Sequence, residues 1–200
     1  MYANALQLTQ TVAPTSEPVT VAEAKAHLYI DTSDHDTYIG TLIEAARNYV
    51  EAYTGRALVE RTYRLDLRLW ESEVVLQKPP LLSVSSIKYY DVDNSQQTWA
   101  SANYEVDISA GRILLAADKT IPSSYDRYDA WQVTSVHGYD DASVSPTSAQ
   151  NAIPSALRHA MKLMIGDMFE TREAGGVAIG AVAWQSDTVN RLLSPYRTRF

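Results

Sequence analysis

The sequence predicts an α+β chain: mainly an α-helical bundle, with a small antiparallel β-domain inserted between the second and third main helices. Three observations carry that expectation. Apolar residues recur at steps of three and four over 39–53 and again over 157–169, the spacing of amphipathic helices. Between them the period drops to two, where Tyr63, Leu65, Leu67 and Leu69 alternate with Arg64, Asp66 and Arg68 as in a strand with one wet face. Apolar content is 46% and charged content 20% over 200 residues, a globular balance with enough chain to bury a core unaided. The expected organisation is an extended N-terminal arm over 1–18, a helical domain from 19–57 and 153–200, and a β-domain over 58–140.

Each element has a local reason. The arm carries Gln, Thr, Ser and two prolines with no clean period. Thr20 with Glu23 has capping-box spacing and opens a short helix with Val21, Ala24, Ala26 and Leu28 on its buried side. Ser33 with Asp36 repeats that signal for a longer helix. Its apolar face is Ile39, Leu42, Ile43, Ala46, Tyr49, Val50 and Tyr53; Glu44, Arg47, Asn48 and Glu51 are expected on the wet side. Gly55 can take the left-handed conformation that ends a helix. Strands are expected over 63–69, 73–77, 84–92, 104–108, 112–116 and 131–137, forming an antiparallel meander or barrel. Residues 140–152 read as a polar loop, and Pro154 suits the first turn of a third main helix. Its core face is Leu157, Ala160, Met161, Met164, Ile165, Met168 and Phe169. The segment 174–186 reads as a flexible but apolar loop, followed by a short helix over 187–193 and an extended tail.

Composition narrows the function classes. No cysteine is present, which removes disulfides, thiolate metal sites and Cys nucleophiles. No 18-residue apolar run suggests a membrane span, and Met1 to Thr15 has no secretory-signal pattern. Residues 1–150 carry 11 Lys/Arg against 20 Asp/Glu, while residues 151–200 carry 6 against 4. An acidic body is unsuited to wrapping duplex DNA. The split is read either as a solvated acidic surface or as two ends that meet complementary partners.

The search for chemistry returns no catalytic, metal or cofactor candidates. His27, His35, His137 and His159 have no metal-ligand spacing, and neither G-x-S-x-G nor a phosphate-binding G-x-x-x-x-G-K-S/T occurs. Asp91-Val92-Asp93-Asn94-Ser95 begins like a calcium loop but has Gln96 at the sixth position and Ala102 at the twelfth, so turn chemistry explains it better. Ten aromatics between Tyr63 and Tyr139 read as strand packing. A β-rich carbohydrate- or ligand-binding module that uses them as a platform is the rival reading, and a small hydrolase is a second.

Seven motifs, in order, resemble those of phage head–tail connector (adaptor, head-completion) proteins. Glu17-Pro18-Val19-Thr20-Val21-Ala22-Glu23-Ala24-Lys25-Ala26-His27-Leu28 resembles the family's opening, EPVTLAEAKAHL. Leu42-Ile43-Glu44-Ala45-Ala46-Arg47 and Val50-Glu51-Ala52-Tyr53-Thr54-Gly55-Arg56-Ala57-Leu58 are similar to the family's second helix and its VExYTGRAL end. Pro79, Pro80, Leu81, Ser83, Val84, Ser86, Ile87, Tyr89 and Asp91 fit PPLxSVxSIxYxD. Ile153-Pro154-Ser155-Ala156-Leu157-Arg158 resembles VPxALR, Glu170-Thr171-Arg172-Glu173 resembles ENRE, and Leu192-Leu193-Ser194-Pro195-Tyr196-Arg197 resembles LLxPYR. The departures are the arm before Glu17 and the residues Ala181 to Gln185.

The resemblance implies a structural virion protein and not an enzyme. It implies a ring, typically of twelve copies, beneath the portal protein. It further implies a link to a stopper or tail-completion protein, help in holding packaged DNA without sequence-specific binding, and no membrane partner. To this the residues add expected contact elements. These are the arm, the loop residues Val177, Ile179, Val182 and Trp184, and the tail residues Pro195, Tyr196, Arg197, Arg199 and Phe200.

Overall fold

A computed structural model of the chain describes residues 5–139, 152–171 and 187–198. It divides into two compact units: one from Met1–Thr15 with Glu60–Gly138, the other from Ser16–Val59 with Tyr139–Phe200.

The helical unit holds α1 (Val21–Leu28), α2 (Asp36–Thr54), α3 (Ser155–Glu170) and α4 (Asp187–Leu193). The Thr20 hydroxyl accepts from Glu23 N–H and the Glu23 carboxylate accepts from Thr20 N–H, so the capping box forms. The second box does not. Helix α2 starts at Asp36 with His35 as an N-cap that makes no side-chain hydrogen bond. Ser33 instead accepts Asp36 N–H through its carbonyl, and the Asp36 carboxylate pairs with Lys25 at 2.8 Å. Gly55 ends α2 at φ 74, its N–H donating to the Glu51 carbonyl. The α2 face of Ile39, Leu42, Ile43, Ala46 and Val50 meets the α3 face of Leu157, Ala160, Met161, Met164 and Ile165, and Val189 and Leu193 of α4 close the core.

The β-unit holds β1 (Ala5–Val12), β2 (Arg61–Leu67), β3 (Glu73–Val75), β4 (Leu81–Tyr90), β5 (Gln96–Thr98), β6 (Tyr104–Asp107), β7 (Arg112–Leu115) and β8 (Trp131–His137). Five strands form one antiparallel sheet in the order β1-β2-β8-β4-β5, and three form a second in the order β3-β7-β6. The shared core is Leu65, Leu67, Trp70, Val74, Leu76, Leu81, Ile87, Trp99, Ile113, Ala130, Trp131 and Val133. Strand β2 stops at Leu67, which leaves Leu69 exposed and turns Trp70 inward. Strand β6 stops at Asp107, whose carboxylate accepts from Ser109 Oγ, Ala110 N–H and Arg112 Nε. Those bonds shape the turn into β7 and hold the Asp107 carboxyl down at about 2.

The expectation of a mainly α-helical bundle is therefore overturned. The described residues hold four helices beside eight strands in two antiparallel sheets, an α+β chain in which neither class dominates. Two strands account for the difference: β1, drawn from the expected arm, and β5, which lies in a run of Gln and Thr.

Candidate interaction surfaces

The nearest approach to a catalytic arrangement lies in the β-unit. The Lys78 carbonyl can only accept, so His137 Nδ1–H donates to it at 2.9 Å. Nε2 then accepts from Ser135 Oγ at 2.8 Å. Both side chains are buried, and burial pushes the His137 pKa down to about 4. The ring's hydrogen-bond partners are the Lys78 carbonyl and the Ser135 hydroxyl, so the pair satisfies buried polar groups of the core. The calcium-like loop is likewise a turn: Asp91 Oδ1 accepts from the N–H groups of Asp93 and Ser95, and Oδ2 from Gln97. Among the described residues no group of three or more His, Asp or Glu could hold a metal, and no helix is long and apolar enough to cross a membrane.

The three tryptophans among the described residues face inward and not toward a binding platform. Trp70, Trp99 and Trp131 pack with centroids 4.9–5.3 Å apart, each at most 7% exposed. Tyr89 stacks on Trp131 at 4.8 Å and Tyr104 lies against Trp99 at 5.5 Å. This is the core of the β-unit, where Trp99 sets its edge against Trp70 and Trp131 and the other ring pairs are stacked or tilted.

In the helical unit, residues far apart in sequence clasp one another. Arg47 Nε pairs with Glu17 at 3.0 Å. Arg158 donates through Nε to the Pro18 carbonyl and through Nη2 to Glu23. Glu51 Oε1 accepts Leu58 N–H at 2.8 Å. Arg47 and Glu51 were expected on the wet side of α2, yet both are buried. They lie inside because each closes a polar contact to a neighbouring loop. The sequence signal was available only in their setting: Arg47 closes the Ala-Ala-Arg motif and Glu51 opens Val-Glu-x-Tyr-Thr-Gly.

The tail lies on the end of α2. Ser194–Tyr196 makes one 3₁₀ turn. Arg56 Nε donates to the Tyr196 carbonyl at 2.7 Å, and Thr198 donates to the Thr54 carbonyl through N–H at 2.8 Å and Oγ1 at 3.0 Å. The Arg197 guanidinium sits 5.6 Å from the Tyr53 ring centre. Tyr196 packs on the helical core. Of the expected contact residues, Pro195, Tyr196 and Arg197 are thus brought together beside the α2 C-terminus, where Thr198 of the tail satisfies the Thr54 carbonyl that the helix leaves open. Val177, Ile179, Val182, Trp184, Arg199 and Phe200, with the expected loop over 174–186, lie outside the described residues.

Residues 18–121 match the family model of phage gp6-like head-tail connector proteins, just over half of the chain. No curated protein matches the sequence. Among solved structures, the fold is similar to a chain in the neck of an empty GTA particle computed with C6 symmetry, and to one in the virion of the native gene transfer agent (GTA) particle. Each has a TM-score of 0.74 and 21% identity, covering 98% of this chain and 97% of that one. A chain in the neck of the native GTA particle computed with C12 symmetry aligns over the same shares, with a TM-score of 0.68 and 21% identity. At that identity the likeness is one of fold.

Proposed function

The chain belongs to the phage gp6-like head-tail connector family, and on that premise we propose that it is a structural, non-enzymatic part of a virion's head–tail junction. Copies associate head to tail and close into a ring, twelve in the virion, through heterologous interfaces. The ring sits beneath the portal, joins it to a stopper or tail-completion protein, and helps retain packaged DNA without reading its sequence. Val177, Ile179, Val182, Trp184, Arg199 and Phe200 are the proposed partner contacts, together with the exposed parts of Pro195, Tyr196 and Arg197.

The match over residues 18–121 carries this reading. Two observations support it. The Ser135–His137 pair is buried, so it offers a hydrolase no accessible Ser–His couple. The buried tryptophan cluster withdraws Trp70, Trp99 and Trp131 from any carbohydrate platform. The test mixes the purified chain with its portal ring and weighs the products by native mass spectrometry. The expected product is a single closed oligomer, alone or on the portal. A strict monomer that binds no portal, even at high concentration, overturns the proposal.

A further inference from the structure

The two outer edges of the five-stranded sheet are unlike the edges of the small sheet. Among the described residues, no strand pairs with the free side of β1 or of β5. Strand β1 runs eight residues, Ala-Leu-Gln-Leu-Thr-Gln-Thr-Val, with no charge, proline or glycine. Strand β5 is Gln-Gln-Thr, uncharged and exposed throughout. The small sheet's edges, in contrast, carry Glu73 on β3 and Glu105 and Asp107 on β6. Charge on an edge is a common guard against pairing with another chain, and a long neutral edge such as β1 invites it. Register shifts lie near both ends of β1 but leave Gln7 to Gln10 regular against Asp66 to Tyr63.

Resting on the ring reading above, we propose that β1 of one copy pairs with β5 of the next, so that the sheet continues from copy to copy. Three points favour this occupant. Both edges belong to one sheet, so a single contact type uses each edge once per copy, as a heterologous ring requires. Five strands alternating in direction leave β1 and β5 running the same way, so head-to-tail continuation makes a short parallel ladder. Strand β5 is Gln and Thr, and β1 alternates to place Gln7, Thr9 and Thr11 on one face, which brings no charge into the contact and allows hydrogen bonds across strands.

The chain has no cysteine, so introduced pairs report without background. Gln97→Cys is combined in turn with Gln7→Cys, Thr9→Cys or Thr11→Cys, and the full chain is oxidised in its assembled ring, with portal if the ring needs it. Within one copy β1 and β5 are four strand spacings apart, roughly 19 Å, far beyond disulfide reach. At least one register is expected to give a reducible ladder of dimers, trimers and higher species, while each single variant stays monomeric on a non-reducing gel. Dimers from a β1 cysteine alone would mean β1 pairs with β1, and would overturn the proposal. A ring that forms but cross-links in no register would overturn it while leaving the ring reading standing. A chain that forms no ring with or without portal takes both down. As a second measurement, Gln7→Lys with Thr11→Lys restores a charged edge, and ring yield is expected to fall at least tenfold with the melting temperature held. Unchanged yield would count against the edge contact.

Discussion

Glu51 stands on the face of α2 that the apolar pattern assigns to water, yet it is buried and its carboxylate accepts the Leu58 N–H at 2.8 Å. Leu58 follows the end of α2, where the chain has no ladder partner for that N–H. Glu51→Ala leaves the donor buried and unpaired, and is expected to cost about 1–3 kcal/mol in chemical denaturation. A change below a few tenths would mean that water takes over the bond. His137 gives a pH signature in the other unit. Burial holds the ring neutral, with a pKa of about 4 against an ordinary 6.5. Between those values the unfolded chain binds the proton and the folded chain does not. The stability this group carries is therefore full above pH 6.5 and is lost as pH falls to about 4, on the order of 3 kcal/mol in total. His137→Gln is expected to be less stable at pH 7 but to lose less between pH 6.5 and 4. Parallel stability curves for the variant and the parent would rule this out.

Elements differ in how far they were legible before the structure. Helix α1 was legible because its boundary is written in side chains, Thr20 and Glu23, that form the predicted box. Removing the hydroxyl with Thr20→Ala is expected to cost about 1 kcal/mol. Gly55→Ala, which must hold φ 74 at the end of α2, is expected to cost a similar amount, about 1 kcal/mol, read as a lower melting temperature. If Gly55→Ala were instead stabilising, the left-handed cap would not persist in solution. Helix α2 shows a false signal: Ser33 and Asp36 have box spacing, but Asp36 is drawn to Lys25 and the helix begins without a side-chain cap. Strand β8 is legible to the residue, since Trp131, Val133, Ser135 and His137 alternate inward with the burial that a central strand imposes. Strands β1 and β5 were not legible. An edge strand buries little, so Gln and Thr serve on either face and no period survives. The candidate contacts divide in the same way. The motif residues bind within the fold, Glu17 to Arg47, Glu23 to Arg158, Glu51 to the Leu58 N–H and Arg56 to the Tyr196 carbonyl, so those motifs encode scaffold. An unguarded edge, by contrast, is a property of sheet order, which no local pattern contains.

At the scale of the molecule, each unit has its own core: α2, α3 and α4 around Met161 and Ile165 in one, and the tryptophan cluster in the other. The chain leaves the helical unit after Val59 and re-enters at Tyr139, where Tyr139 N–H donates to the Leu58 carbonyl at 3.4 Å. Exit and re-entry are one backbone hydrogen bond apart, so a few glycines can replace the whole excursion at a small loop-closure cost. A chain of residues 16–59 joined by such a linker to 139–200 is expected to give a helical circular dichroism spectrum and one cooperative thermal transition. A non-cooperative melt would mean that the helical core depends on the rest of the chain. The same chain lacks both β1 and β5. If those edges close the ring, it should remain monomeric by native mass spectrometry under conditions where the full chain assembles. If it assembles all the same, the closing contacts belong to the helical unit, and the unguarded edges of the sheet must serve some other neighbour.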